Sequence, residues 1–304
     1  MNRRRTILTQ TPHYEYVPII DRPPLRLPDG ARVALLPYVN LEHFPHDLPG
    51  TAIIPATQQF TPDPLNYGWR DYGNRVGLWR IIDLMDRCGM RGTVCLNSDV
   101  VREYPRIIEE TVRRDWAFMG HGANNSPASF LSGIDESRER EIVSGVLDAI
   151  NKATGRRTRG WISPFLTHTD NTPRILAELG VEYLCDYTAD DHPFPLKVPS
   201  GSLISMPYSL ELNDVPAFQN VGLSSSDFGD MIVDQFDVLY EEGAENARCM
   251  PICLHTFWVG QPNKFKHLRR AFEHIAKHDK VWMTTGDEVA DWYKASQRAG
   301  NRPG

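Results

Sequence analysis

Several places along this chain carry side chains able to do hydrolytic chemistry, and each adjoins a short apolar run. Asn40 and Glu42 close the run from Arg32 to Val39, and His121 and Asn125 follow the run from Trp116 to Met119. Arg159 and Trp161 belong to a third run that ends at Ile162, Asp186 follows Tyr183-Leu184-Cys185 with Asp190 and Asp191 behind it, and His255 ends the run from Pro251. A carboxylate and an imidazole can share the two proton transfers that amide hydrolysis needs, one activating water and the other protonating the departing nitrogen. A guanidinium, an indole ring and backbone N–H groups beside a glycine turn can hold an oxyanion and a planar substrate. Each residue also has a plain structural reading: Glu42 and Arg159 as an ion pair, Asp186 as a helix cap, His255 as a satisfied buried imidazole. A single pocket accounts for all of them together, because polar groups at matching strand ends are poor material for a core.

The pocket requires elements that bring those ends to one face. Gly120 and Gly122 flank His121 and let the backbone turn sharply there. Further strands are expected at Arg91–Asn97, Leu203–Pro207 and Val281–Met283. Between the strands, apolar residues recur at helical spacing from Val76 to Met85, where Gly89 is the stop. Pro105 opens a helix to Arg114, another runs from Asp135 to Thr154 with Gly155 as its end, and Thr172-Pro173 starts one that Gly180 stops. Helices are also expected over about 226–243, 264–277 and 287–294. Short apolar strands alternating with amphipathic helices predict a parallel sheet closed, or nearly closed, into a barrel, with its chemistry at the C-terminal strand ends. Prolines at 45, 49, 55, 62 and 64 predict a long structured loop between Phe44 and Asn66.

Composition narrows the function classes. With 304 residues, 41% of them hydrophobic, the chain can bury one large core, and no composition break divides it. The expected organisation is an extended, proline-rich arm over residues 1–29 and a single catalytic domain over 30–304. A net charge of -6, with 33 Lys and Arg scattered along the chain, argues against nucleic acid or an anionic membrane as partner and leaves a small-molecule substrate. The basic start Arg3-Arg4-Arg5 has no apolar stretch behind it, so a cytoplasmic location is expected. The 5 cysteines lack C-x-x-C spacing, which predicts buried thiols rather than disulfides or a structural zinc site. The arm and the proline-rich loop carry too few signals to order themselves alone, and are expected to pack on a neighbouring subunit in a homo-oligomer.

Tyr72-Gly73-Asn74-Arg75-Val76-Gly77-Leu78-Trp79-Arg80, Gly120-His121-Gly122, Gly160-Trp161-Ile162-Ser163-Pro164, Thr172-Pro173-Arg174-Ile175-Leu176, and Leu254-His255 with Gly260-Gln261-Pro262 together carry a resemblance. The chain resembles the polysaccharide deacetylase (NodB-homology) superfamily, in the branch with uricase-linked allantoinases and cyclic-imide hydrolases. The resemblance implies a distorted (β/α) barrel of seven or eight parallel strands and hydrolysis of a non-peptide C–N bond. It implies Glu42, His121 and His255 as catalytic residues, and Glu42, His121 and Asn125 as the positions of a metal site. In the metal-dependent members an aspartate base and an aspartate ligand end the first strand, and two histidines four positions apart complete the site. Here Asn40 takes the place of the base, Glu42 that of the ligand and Asn125 that of the second histidine. Zinc prefers His, Cys or carboxylate donors, so Glu42 and His121 make a two-donor site unless His43, His46, His168 or His255 joins. The expectation is therefore no required cofactor, or a weakly bound divalent metal, with zinc first in line. Asn40, Asn125, Arg159, Trp161, Pro164 and Asp186 are expected to contact substrate, with Tyr67, Trp69, Tyr72 and Arg75 closing the mouth. The alternatives are a sugar N-deacetylase that recruits a divalent ion, and a catalytically silent barrel that binds carbohydrate or ureide.

Overall fold

The computed structural model describes residues 11–47 and 54–300. Residues 1–10 of the expected arm, and Pro49 within the expected loop, lie outside the described residues. Strand β1, Val33–Leu41, is buried along its whole length and forms the spine of the sheet. Helix α1 (Pro64–Tyr72) and a π-helical turn (Gly73–Gly77) lead into α2 (Leu78–Arg87), followed by β2 (Thr93–Leu96), α3 (Ser98–Glu103) and α4 (Pro105–Arg113). Then come β3 (Ala117–Gly120), α5 (Glu136–Thr154), β4 (Gly160–Trp161), α6 (Thr172–Glu178) and β5 (Tyr183–Leu184). The chain continues through β6 (Phe194–Leu196), β7 (Leu203–Ser205), α7 (Ser225–Glu242), β8 (Arg248–His255), α8 (Pro262–Ile275), β9 (Val281–Met283) and α9 (Gly286–Gly300).

The sheet runs β6-β7-β5-β4-β3-β2-β1-β8, parallel throughout except for the antiparallel pair β6–β7. Along one edge of β1, residues 33–40 pair with β8. The other edge is shared, Val33–Leu35 pairing with β9 and Tyr38–Leu41 with β2. The sheet thus curls into a half-barrel rather than a fully laddered ring. Across the gap beside β8, the segment before α7 supplies a single bridge, Asn213 to Cys253, and the Cys253 N–H donates to the Leu212 carbonyl at 2.8 Å. The antiparallel β6 was not expected. Its three residues, half-buried Phe194, exposed Pro195 and buried Leu196, are too few to give a strand period, and a proline fits only such an edge strand.

One further difference has a local cause. Pro62 and Pro64 fall within the expected loop, but Pro64 is the first residue of α1, where its missing N–H has no intrahelical partner to lose. Asp63 caps that helix by accepting from the Asn66 N–H at 3.2 Å. The described part of the expected arm, residues 11–29, makes contacts within its own chain. His13 accepts from the Lys197 N–H at 2.7 Å, Arg22 donates to Asp190 at 2.9 Å, and Leu27 is buried beside Ala31 in the inner core. Two apolar layers fill the molecule. One lies between sheet and helices and includes Leu35, Val39, Ile82, Val146 and Phe236; the other fills the concave face with Leu36, Tyr38, Met119, Cys185, Ile204 and Cys253. No helix among the described residues is long and apolar enough to cross a membrane.

Candidate active site

Alternation along the strands decides which residues reach the concave face. In β1, Val33, Leu35, Val39 and Leu41 belong to the helix-facing layer, whereas Ala34, Leu36 and Tyr38 fill the inner one. Because strand side chains have a period of two, Asn40 and Glu42 continue the inner series above Tyr38. By the same parity His121 follows Met119 and His255 follows Cys253. Buried Cys, Met and Tyr side chains form the floor, and on these three strands the next inward position is polar. Gly122, with φ at 69°, turns the chain after His121, and a Cβ there would meet Pro164 Cγ at 2.6 Å. The Pro164 exit loop therefore packs directly on the His121 loop.

The carboxylate of Glu42 lies between two imidazoles. His121 Nε2 is 3.3 Å and His255 Nε2 3.7 Å from Glu42 Oε1, and all three residues are buried. His121 Nδ1 donates to the Ile162 carbonyl at 2.9 Å, which leaves Nε2 to face Glu42. His255 is held from behind by Asp214, whose two oxygens accept from the His255 backbone N–H at 2.8 Å and from Nδ1 at 2.7 Å. Asn40 donates to the Leu254 carbonyl at 3.3 Å, and Asn74 donates to the Glu42 carbonyl at 3.1 Å. Asn97 accepts from the His43 N–H at 3.0 Å and donates to the His121 carbonyl, tying the ends of β1, β2 and β3 together.

Electrostatics poise the pair for proton transfer. Burial pushes the Glu42 carboxyl up, but the imidazoles of His255 and His121 and a hydrogen bond from Asn125 outweigh it, so Glu42 rests below the usual carboxylate range. Burial works against the charged form of His255, and the adjacent Asp214 and Glu42 overcome it, raising the imidazole above its ordinary value. A negative Glu42 beside a positive His255 is the state these surroundings favour near neutrality.

The other expected residues divide. Trp69 stacks edge-on with Phe257 and Trp258, whose loop follows His255, and Phe257 in turn lies 5.7 Å from the His255 ring. Tyr67 packs on His46. The Tyr72 hydroxyl accepts from Arg80, which also donates to the Gly260 carbonyl at 2.8 Å, so Tyr72 braces the loop after β8. Arg75 is 74% exposed and its charge lies 3.8 Å from Asp71, on the helix surface. Asp186 stands at the correct end of the sheet but is occupied: it accepts from the Ser163 N–H and from His168 Nδ1, each at 2.7 Å. It positions the exit loop of β4.

Arg159 and Trp161 do not join the group. Arg159 precedes β4 and so lies at its N-terminal end, the face opposite the site, where it donates to Glu182 at 2.7 Å and to Asp291. Trp161 points outward by parity with the inward Ile162, into the helix-facing layer; a Cβ on Gly120 would meet its ring at 2.6 Å. Replacing Arg159 with Ala should therefore lower stability by about 1–3 kcal/mol, as expected when hydrogen-bonded charges lose their partner, while kcat stays unchanged. Urea denaturation and steady-state kinetics on the same preparation check both halves. Sequence reasoning also missed Asp214. Its only signal was a lone acid after Leu212-Asn213, far in sequence from the histidine it holds. Asn97 was seen only as a strand end.

Glu42 and His121 offer a divalent metal two donors, and such an ion is compatible with that pair. His255 Nε2 lies 3.7 Å from the same Glu42 oxygen, but these three do not form a mutually close set: among the described residues, the trio whose donor atoms all lie within 4.8 Å of one another is Asp237, His274 and His278, on other elements. His168 is held by Asp186, whereas the His43 ring packs on Tyr104 with its Nδ1 buried and without a hydrogen-bond partner. Asn125 supplies Glu42 with a hydrogen bond, while its Oδ1 is buried with no partner.

Comparison with known proteins agrees with this geometry. The polysaccharide deacetylase family profile matches residues 67–184. A Schizosaccharomyces pombe protein described as a polysaccharide deacetylase is 29% identical over 246 residues, covering 74% of this chain and 75% of that one. The crystal structure of a probable polysaccharide deacetylase from Pseudomonas aeruginosa superposes with a TM-score of 0.80 at 26% identity, over 90% of this chain and 95% of the other. That of PuuE allantoinase does so with a TM-score of 0.79 at 26% identity, over 95% and 99%. The half-barrel, the strand-end site and these comparisons agree: residues 67–184 match the polysaccharide deacetylase family, and the chain is similar to NodB-type relatives over most of its length.

Proposed function

We propose that this hydrolase of non-peptide C–N bonds acts on a small ureide or cyclic imide, with Glu42 as general base and His255 as general acid. The observation that carries the reading is the Glu42 carboxylate shared between His121 and His255, in a site where Asn40 and Asn125 bring neutral amides. Glu42 would take a proton from the attacking water, and His255, kept charged by Asp214, would deliver one to the departing nitrogen. Orientation of the imidazole comes from the two hydrogen bonds to Asp214. The orphaned Asn125 Oδ1 suits a substrate rich in N–H groups, since a buried acceptor without a partner is costly until a ligand supplies one. A divalent metal held by Glu42 and His121 would add polarisation of the scissile carbonyl. Ureides and imides have better leaving groups than an acetamido sugar, so a site with two metal donors suffices for them. The likeness to PuuE allantoinase supports the same substrate class.

The test is a hydrolysis screen of small imides, ureides and N-acetyl sugars on chelator-treated enzyme, with and without added zinc. Turnover of an imide or ureide that survives chelation is the expected result. Complete loss on chelation with full recovery on zinc, or turnover of acetylated sugars alone, would overturn the reading in favour of a deacetylase-type site.

A further inference from the structure

The geometry points to a second metal-binding site, for a divalent transition ion such as zinc, clamping α7 to α8 on the outer surface. Asp237 lies on α7; His274 is in the last turn of α8, and His278 follows four residues later, just beyond the helix end. Although His278 has left the helix, the two imidazoles lie side by side with ring centroids 4.9 Å apart. One donor atom from each of the three lies within 4.8 Å of the others. Tetrahedral donors at zinc are about 3.4 Å apart, so modest side-chain rotation closes the set.

Two observations set these residues apart from an ordinary surface ion pair. His278 Nδ1 donates to the His274 carbonyl at 3.0 Å, which fixes its tautomer and leaves Nε2 as a bare lone pair. A backbone carbonyl on the far nitrogen is how metal-ligating imidazoles are commonly oriented. The rings are also held in place: Phe236 lies 4.9 Å and Tyr240 5.1 Å from His278, and Phe236 packs edge-on to His274. Asp237 already meets His274 Nε2 at 2.8 Å, so binding would replace the proton on that nitrogen with the ion and keep both residues in place. A helix-capping role for His278 accounts for its Nδ1 contact but leaves its Nε2 unused. With three protein donors and partial exposure, the site would leave a coordination position for water and bind in the micromolar range.

Zinc chloride titrated calorimetrically into the full chain carrying Glu42→Gln and Cys88→Ser tests this, because the first change removes the pocket's carboxylate and the second a half-exposed thiol. One equivalent should bind, and a hundredfold excess over Kd should raise Tm by roughly 5 °C. His274→Gln, His278→Gln and Asp237→Asn, each added to that background, should weaken binding at least about tenfold while shifting the metal-free Tm by no more than about 2 °C and leaving circular dichroism unaltered. Absence of binding in the background chain, or binding that all three changes leave intact, would overturn the assignment.

Discussion

Glu42→Gln should lower kcat by about a thousandfold or more, within the range expected for loss of a positioned general base. The substitution keeps the side chain's length and shape but removes the charge that both imidazoles face at 3.3 and 3.7 Å. An amide cannot take a proton from water, and its NH2 group would confront whichever imidazole nitrogen donates. KM should change far less than kcat, because the loss falls on the transition state. Since the folded state holds Glu42 below its ordinary range, the carboxylate's electrostatic contribution to stability is present above the unfolded carboxyl pKa and fades as pH falls through the folded one. The comparison therefore belongs near neutrality, where single-turnover rates separate chemistry from binding and a urea melt confirms folding. A variant that keeps a tenth or so of the wild-type rate would remove Glu42 from the role of base.

How far the site was legible in the sequence follows from strand parity and direction. Glu42, His121 and His255 could be placed because each follows an apolar strand whose C-terminal end is unambiguous, and because glycines flank His121. Arg159 was misplaced by a lapse in the same logic: it begins its strand, so in a parallel sheet it belongs to the entry face, where Glu182 and Asp291 now hold it. Trp161 sits one position from Ile162, and two adjacent strand residues cannot both face inward. With β4 only two residues long, its pattern was too short to say which one did. Asp186 was placed at the correct end, but its commitment to Ser163 and His168 depends on loop geometry that no spacing encodes. Asp214 was invisible for a deeper reason. It lies outside any regular strand, on the segment that fills the gap beside β8, and the closure of a half-barrel by irregular chain has no periodic signature. The segment Tyr72–Arg80 was recognised as a motif, yet its purpose is architectural: a Cβ on Gly73 would meet Phe257 N at 2.6 Å, so the glycine lets the helix approach the His255 loop.

Asp214 sets up the second large effect. His255→Ala should lower kcat by about a hundredfold or more, as for loss of a general acid, and should remove the alkaline limb of the pH–rate profile. The wild-type limb should lie above the ordinary imidazole value of 6.5, because Asp214 and Glu42 raise His255 against the opposing effect of burial. An acid catalyst is active while charged, so the rate falls as pH climbs through that raised value. Stability has the same sign: a raised imidazole stabilises the fold fully below its unfolded pKa, and that contribution is lost as pH rises through the folded one. Asp214→Asn keeps an acceptor for His255 Nδ1 but removes the leading charge that sustains the imidazolium. The alkaline limb should then move toward lower pH, with kcat at its optimum falling less than in His255→Ala. Profiles of kcat/KM against pH for the wild type and both variants, on the best substrate of the screen, provide the measurement. An alkaline limb that persists in His255→Ala would assign it to another group, and one unmoved in Asp214→Asn would mean that the carboxylate only orients the ring.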